Sequence, residues 1–158
     1  QKAFFDKFIT IRKKLIDSLD IDSPDSHHLP IRFLLALERE IHIFLSLVGG
    51  SSAYTVIKGA LNVYGNPSSQ VYLMKESSNS MTALLQHLAV LIRGFGRLGR
   101  EKDLELLNEV KNNEDGFLAL GNDARHEALI RRILGWVDAA KNNITNRNSK
   151  ATSQREPE

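Results

Sequence analysis

Apolar residues recur along most of the chain at spacings of three and four, which is the period of an amphipathic α-helix. Segments rich in Asp, Ser, Asn, Pro and Gly separate these stretches and predict turns, as at 20–26 and at Gly65-Asn66-Pro67. Strand signals are scarce. The pattern therefore predicts helices over residues 2–20, 31–48, 53–64, 80–98, 101–112 and 124–142.

Residues 31–48 are apolar on nearly every side of the predicted helix. The charged run Glu38-Arg39-Glu40 at the centre of this stretch argues against a membrane span, because each charge there costs roughly 2.5–3.5 kcal/mol on insertion scales. We therefore expect the segment to be the central helix of a bundle, covered on most sides. Gly49-Gly50 are expected to end it.

The sequence also predicts the local structure of the segments that connect these helices. Ser51 or Ser52 is expected to cap the helix over 53–64. Residues 70–76 fit a short helix or an isolated strand, and the lack of a partner strand favours the helix. Residues 112–116 are expected to form a turn, followed by one helical turn at 117–121.

The predicted fold is all-α, an irregular bundle of five to seven helices, with stacked helical pairs as a variant of that arrangement. A chain of 158 residues fits one domain of ordinary size. No apolar residues recur after Asn143. We therefore expect a single helical domain over 1–142 and a disordered polar tail over 143–158.

Composition narrows the function classes. The chain contains no cysteine, which excludes disulfides, thiolate zinc sites and thiol nucleophiles. This is compatible with an intracellular protein of the cytoplasm or nucleus. The net charge of +2 gives no general attraction to nucleic acid or anionic lipid, so such binding needs a local patch. The start at Gln1, without Met, predicts a fragment of a larger protein.

Residues 94–99 spell Gly-Phe-Gly-Arg-Leu-Gly, the spacing of a dinucleotide-binding loop. In that loop the glycines let the backbone approach a pyrophosphate, and the loop lies between a strand and a helix. The rest of the chain offers helices rather than strands. The favoured interpretation is that these glycines end the helix or let it pack closely against a neighbour.

Basic residues gather in the same region, and a second cluster follows in the last helix. Arg93, Arg97 and Arg100 are spaced by four and three, so they share one face if the helix continues through the glycines. Such a row suits phosphate contacts, and its alternative is a solvated face with ordinary ion pairs. The candidate binding residues are Arg93, Arg97, Arg100, Lys102, Arg131 and Arg132.

Catalytic and metal signals are weak. The acidic and histidine-rich residues 20–28 lack the spacing of a calcium loop and are expected to form a flexible loop. His42 and His87 lie in apolar stretches, where a histidine is usually a hydrogen-bonded core residue rather than a catalytic one. We expect no catalytic residues, no metal and no cofactor. Trp136 is expected to be a core anchor or, if partly exposed, a binding hot spot.

Two hypotheses of function follow. The first is a non-catalytic helical interaction domain that binds a protein partner or associates with itself. The second is a helical RNA- or DNA-binding domain that uses Arg93–Lys102. Neither involves a membrane, and an enzyme is the least favoured class.

Overall fold

The computed structural model describes residues 28–70, 78–120 and 124–153, and it confirms the all-α class. The predicted helix over 2–20 and the residues 71–76 lie outside these ranges. Short 3₁₀ turns occupy Pro67–Gln70 and Glu101–Asp103. The α-helices are α1 (His28–Val48), α2 (Gly50–Tyr64), α3 (Ser78–Leu98), α4 (Leu104–Asn112), α5 (Glu114–Leu120) and α6 (Ala124–Ser153).

The central helix is α3, which packs against α1, α2 and α6. Its apolar stripe is buried from Met81 to Phe95, and Leu91, Ile92 and Phe95 are completely inaccessible. Residues 31–48, expected to be the central helix, lie within α1, which contacts α2 and α3 among the described helices. Phe44 and Leu47 on the outer face of α1 are 56 % and 64 % exposed. None of the described helices is long and apolar enough to span a membrane.

Side-chain contacts fix the directions of the helices. His42 of α1 meets His87 of α3, and further along both helices Ser46 meets Gly94, so α1 and α3 are parallel. Thr82 of α3 meets His126 of α6, and further along both helices Gly96 meets Ala140, so α3 and α6 are parallel as well. Helix α2 is antiparallel to α3, since Tyr54 lies by Phe95 and Tyr64 by His87.

The connection between α1 and α2 is a tight turn, as the two glycines predict. Gly49 and Gly50 have φ values of 73° and 89°, a region that residues with side chains rarely adopt. The expected cap at Ser51 or Ser52 is wrong. Helix α2 already begins at Gly50, and Gly49 occupies the N-cap position without a side-chain hydrogen bond.

The turn expected at 112–116 is also much shorter in the structure. Only Asn113 interrupts the helices, and α5 begins at Glu114. The Asn113 side chain donates a hydrogen bond to the carbonyl of Gly65 at 2.9 Å, which ties this corner to the end of α2. Tertiary contact therefore lets the chain turn with a single residue. The expected helical turn at 117–121 is confirmed as far as Leu120, as part of α5.

The last helix does not end at 142 but continues to Ser153. The expectation of a disordered tail from Asn143 is thus wrong for residues 143–153. Ile144 is completely buried and extends the stripe of Val137 and Ala140 by one more turn. A single apolar residue among polar ones prolongs the helix, because it reaches the end of α3.

The glycines of residues 94–99 serve helix packing. Gly94 and Gly96 lie inside α3, and a Cβ atom on Gly96 would come within 2.9 Å of Ala140 in α6. Gly99 follows the helix, and a Cβ there would come within 2.9 Å of the Ile144 side chain. A continuous helix replaces the strand and turn that a dinucleotide-binding loop needs. The interpretation as close packing is confirmed.

Candidate functional site

The six basic residues predicted as binding residues fall in different places. Helix α3 ends at Leu98, so Arg100 leaves the face that carries Arg93 and Arg97. The structure brings Arg93 and Arg132 together over Trp136 at the junction of α3 and α6. It places Arg100 and Lys102 beside α2 and α4 instead.

Trp136 of α6 is the centre of the group at the junction of α3 and α6. The guanidinium of Arg93 lies over its indole ring, with Cζ 4.1 Å from the ring centre, and the guanidinium of Arg132 lies 5.7 Å from it. Trp136 is half-buried and packs against the core, while both arginines are exposed. The ring holds the two cations near each other by cation–π attraction. Trp136 is therefore both a core contact and part of the surface.

Neighbouring arginines extend this surface along both helices. Arg97 lies one turn after Arg93 on α3 and is exposed. Arg125 lies seven residues before Arg132, so it shares that flank of α6 and is exposed as well. We call this group the Arg–Trp surface, and its members are Arg93, Arg97, Arg125, Arg132 and Trp136.

Acidic residues are placed away from the Arg–Trp surface. Helix α3 contains none. The two in α6 are Glu127, which accepts hydrogen bonds from Arg131, and Asp138, which binds Lys111 of α4 at 2.6 Å. Both therefore belong to the other flank of α6. The positive charges of the Arg–Trp surface have no carboxylate partner within the described ranges.

Arg131, although adjacent to Arg132 in sequence, belongs to a different environment. Its Nε and Nη2 atoms donate to Oε1 of Glu127 at 3.2 and 3.0 Å, the helical ion pair that a spacing of four favours. This pair is exposed and lies about a quarter turn away from Arg132 on the helix. Arg131 is thus paired locally.

Arg100 belongs to a compact group around a buried carboxylate. Asp103, 3 % exposed, accepts hydrogen bonds from Tyr54 at 2.7 Å, from Lys58 at 2.6 Å and from the backbone of Arg100 at 3.2 Å. The Arg100 guanidinium lies 4.7 Å from the centre of the Tyr54 ring. We call Tyr54, Lys58, Arg100 and Asp103 the Asp103 cluster. It fixes the connection between α3 and α4 against α2.

The pKa values in this cluster follow from its contacts. Burial disfavours ionised Asp103, but the hydrogen bonds from Lys58, Tyr54 and Arg100 outweigh it and lower the pKa of this carboxyl. The hydrogen bond to Asp103 raises the pKa of Lys58. Burial, together with the hydrogen bond to Asp103, raises the pKa of Tyr54. All three groups are stabilised in the protonation states they have at neutral pH.

Lys102 lines an open groove of 490 Å³ between α2 and α4. The groove also contains Lys58 and Asp103 and the acidic side chains Glu105 and Glu109. Its charges are mixed, in contrast to the Arg–Trp surface. The groove therefore gives no preference for an anionic ligand.

Arg147 is a basic residue whose role the sequence interpretation missed, because it was assigned to a disordered tail. Its side chain donates hydrogen bonds to the backbone carbonyls of Gly96, Arg97 and Gly99 at the end of α3. Carbonyl groups at a helix C-terminus lack partners within the helix, and a cation there also complements the helix dipole. The signal that would have revealed it is Ile144, four residues after Ala140 on the buried stripe.

A second set of polar groups is enclosed in the bundle between α1, α2 and α3. His42 and His87 share a hydrogen bond of 2.7 Å, and Tyr64 donates to Glu38 at 2.5 Å. All four side chains are between 0 % and 6 % exposed. The expectation that both histidines are hydrogen-bonded core residues is confirmed. Glu38 belongs to the same buried polar group, whereas its position in the sequence indicated only that the helix does not span a membrane.

Among the described residues, no three His, Cys, Asp or Glu side chains lie close enough together to hold a metal ion. The acidic and histidine-rich segment 20–27 is outside those residues. The chain matches no known protein family, and neither a curated protein nor a solved structure is significantly similar to it.

Proposed function

We propose that the protein is a non-catalytic helical interaction domain that binds an acidic segment of a protein partner through the Arg–Trp surface. The observation that carries the proposal is the half-buried Trp136 with the guanidiniums of Arg93 and Arg132 over its ring. Tryptophan and arginine are the residues most often responsible for the binding energy of protein interfaces.

Charge complementarity specifies the chemistry of the partner. The arginines of the Arg–Trp surface have no carboxylate within reach in the described chain, whereas the adjacent Arg131 is paired with Glu127. A guanidinium binds a carboxylate through two parallel hydrogen bonds. Because Trp136 orients two guanidiniums in advance, less side-chain entropy is lost on binding.

Nucleic acid is the alternative partner, since phosphates also bind arginine. Two observations favour a polypeptide. Arg93 and Arg132 lie over the Trp136 ring, the surface that a stacked base would need. The net charge of +2 gives little long-range attraction to a polyanion of high charge density.

The test is a fluorescence-anisotropy titration with a labelled polyglutamate peptide and with RNA and DNA hairpins, each at two salt concentrations. Saturable binding of the peptide is expected, and Arg132→Glu should abolish it. The matched control is Arg131→Glu, the same substitution one residue earlier on the other flank of α6, which should leave binding within about twofold of the parent.

The other outcomes contradict the proposal in different ways. Steeply salt-dependent binding of the hairpins alone, lost in Arg132→Glu, would identify the Arg–Trp surface as a nucleic-acid site. Equal losses in Arg131→Glu and Arg132→Glu would show attraction by overall charge rather than a site. Absence of binding by every probe at low salt would overturn the assignment of this surface to an anionic partner.

A further inference from the structure

Helix α1 carries an apolar face that no described residue covers. Leu37, Phe44 and Val48 are 36 %, 56 % and 48 % exposed, and Ile41 between them is only partly buried. A run of large apolar side chains at this exposure is characteristic of a surface that packs against another element.

The spacing of the face indicates the shape of its occupant. Leu37, Ile41, Phe44 and Val48 follow one another at intervals of four, three and four. This is the repeat by which one helix packs along another. The occupant therefore has to be a helix that presents the same repeat.

The chain supplies such a repeat near its start. Phe4, Phe8, Ile11 and Leu15 are also spaced by four, three and four, within the segment 2–20 for which the sequence predicts a helix. We propose that segment 2–20 is the occupant of this face and packs antiparallel to α1.

Chain length and charge both fit an antiparallel arrangement. Residues 21–27 connect the segment to His28, a length typical of connections between antiparallel helices. With residue 20 near 28, Phe4 lies opposite Phe44, and Ile11 lies opposite Leu37. The same register places Lys7 opposite Ile41 and so one residue from Glu40, whose side chain is 63 % exposed.

The absence of cysteine makes a cross-linking test direct. The variant Lys7→Cys with Glu40→Cys, treated with a short bifunctional maleimide at low protein concentration, should give mainly an internal cross-link within one chain. The control variant combines Lys7→Cys with Glu109→Cys, an exposed position on α4, and it should cross-link far less. Electrophoresis separates the internally linked chain from linked dimers.

Linked dimers in place of the internal product would show that a second copy covers the face and would overturn the proposal. Equal internal cross-linking in both variants would do the same. A second measurement compares Phe8→Ser with Ile9→Ser, which removes an apolar side chain about 100° away on the predicted helix. Phe8→Ser should lower the melting temperature by several degrees and Ile9→Ser should not; equal shifts would contradict the packing.

Discussion

Arg93 and Arg100 lie seven residues apart and make the same primary contact, yet their surroundings differ. Each guanidinium lies over an aromatic ring, Trp136 at 4.1 Å and Tyr54 at 4.7 Å from the ring centre. In the Asp103 cluster, a buried carboxylate lies next to the ring under Arg100, because Asp103 accepts hydrogen bonds from Tyr54 and Lys58. In the Arg–Trp surface no described carboxylate compensates Arg93.

The difference shows that the end of α3, rather than residue type, decides the role of each arginine. Arg93 stays on the helix and faces outward beside α6. The helix ends at Leu98, and the chain turns so that Arg100 meets α2. Residues that look equivalent in sequence therefore separate into one beside the Asp103 cluster and one on the Arg–Trp surface. The following substitutions test that separation.

The largest effect is expected for Asp103→Ala. The change removes the acceptor of the hydrogen bonds from Tyr54 and Lys58 and leaves the ammonium group of Lys58 without its carboxylate. The free energy of unfolding should fall by about 2–3 kcal/mol, near the lower limit for a broken buried pair because Lys58 is partly exposed. Urea denaturation of the parent and the variant measures this difference in the free energy of unfolding.

The control for this prediction is Asp138→Ala, which also removes a carboxylate that binds a lysine. Asp138 is exposed, so its ion pair with Lys111 is screened by water and the substitution should change stability little. Equal losses in the two variants would mean that the Asp103 cluster stabilises the fold no more than an ordinary surface pair does.

The next largest loss of stability is expected from disturbing the packing of α3 against α6. Gly96→Ala places a Cβ atom 2.9 Å from the backbone of Ala140, so the two helices have to move apart, and a loss of about 1–2 kcal/mol is expected. Gly135→Ala is the matched control on α6, because no atom lies within 4 Å of the added Cβ. Better helix propensity should make that variant more stable by about 0.5–1 kcal/mol. Thermal or urea unfolding of both variants checks the pair.

The sequence predicts the parts of the molecule that follow from periodicity. The stripe of α3 and the turn at Gly49-Gly50 are as expected, because each depends on local spacing or on backbone freedom. It does not predict which helix is central, since α1 is at least as apolar as α3. That position depends on which helices meet, a property of the folded chain.

The candidate site is predictable only in part for the same reason. Charge alone indicates Arg93, Arg97 and Arg132, but Trp136 meets Arg93 only because α3 packs against α6. Asp103 gave no signal, because a buried carboxylate is recognised by its partners, and those lie more than forty residues away in sequence.

A smaller effect is expected in acid. The pKa of Asp103 is lower in the folded protein than in the unfolded chain, so its contribution to stability is complete above the unfolded value of about 4 and is lost as the pH falls through the folded value. The stability difference between the parent and Asp103→Asn should therefore shrink below about pH 4. Urea denaturation at a series of pH values measures this difference, and a constant difference would show that the carboxylate charge is not what stabilises the cluster.

The smallest stability effects are expected for Arg93→Met and Arg100→Met, which keep much of the side-chain length but remove the charge. Each loses one exposed cation–π contact, so the free energy of unfolding should fall by about 0.5–1 kcal/mol in both. Binding should nevertheless separate them. Arg93→Met is expected to weaken polyglutamate binding several-fold, whereas Arg100→Met should bind like the parent, because its guanidinium lies over Tyr54 and not on the Arg–Trp surface. Equal binding losses, measured by anisotropy at the same salt concentration, would mean that the end of α3 does not divide these arginines by role.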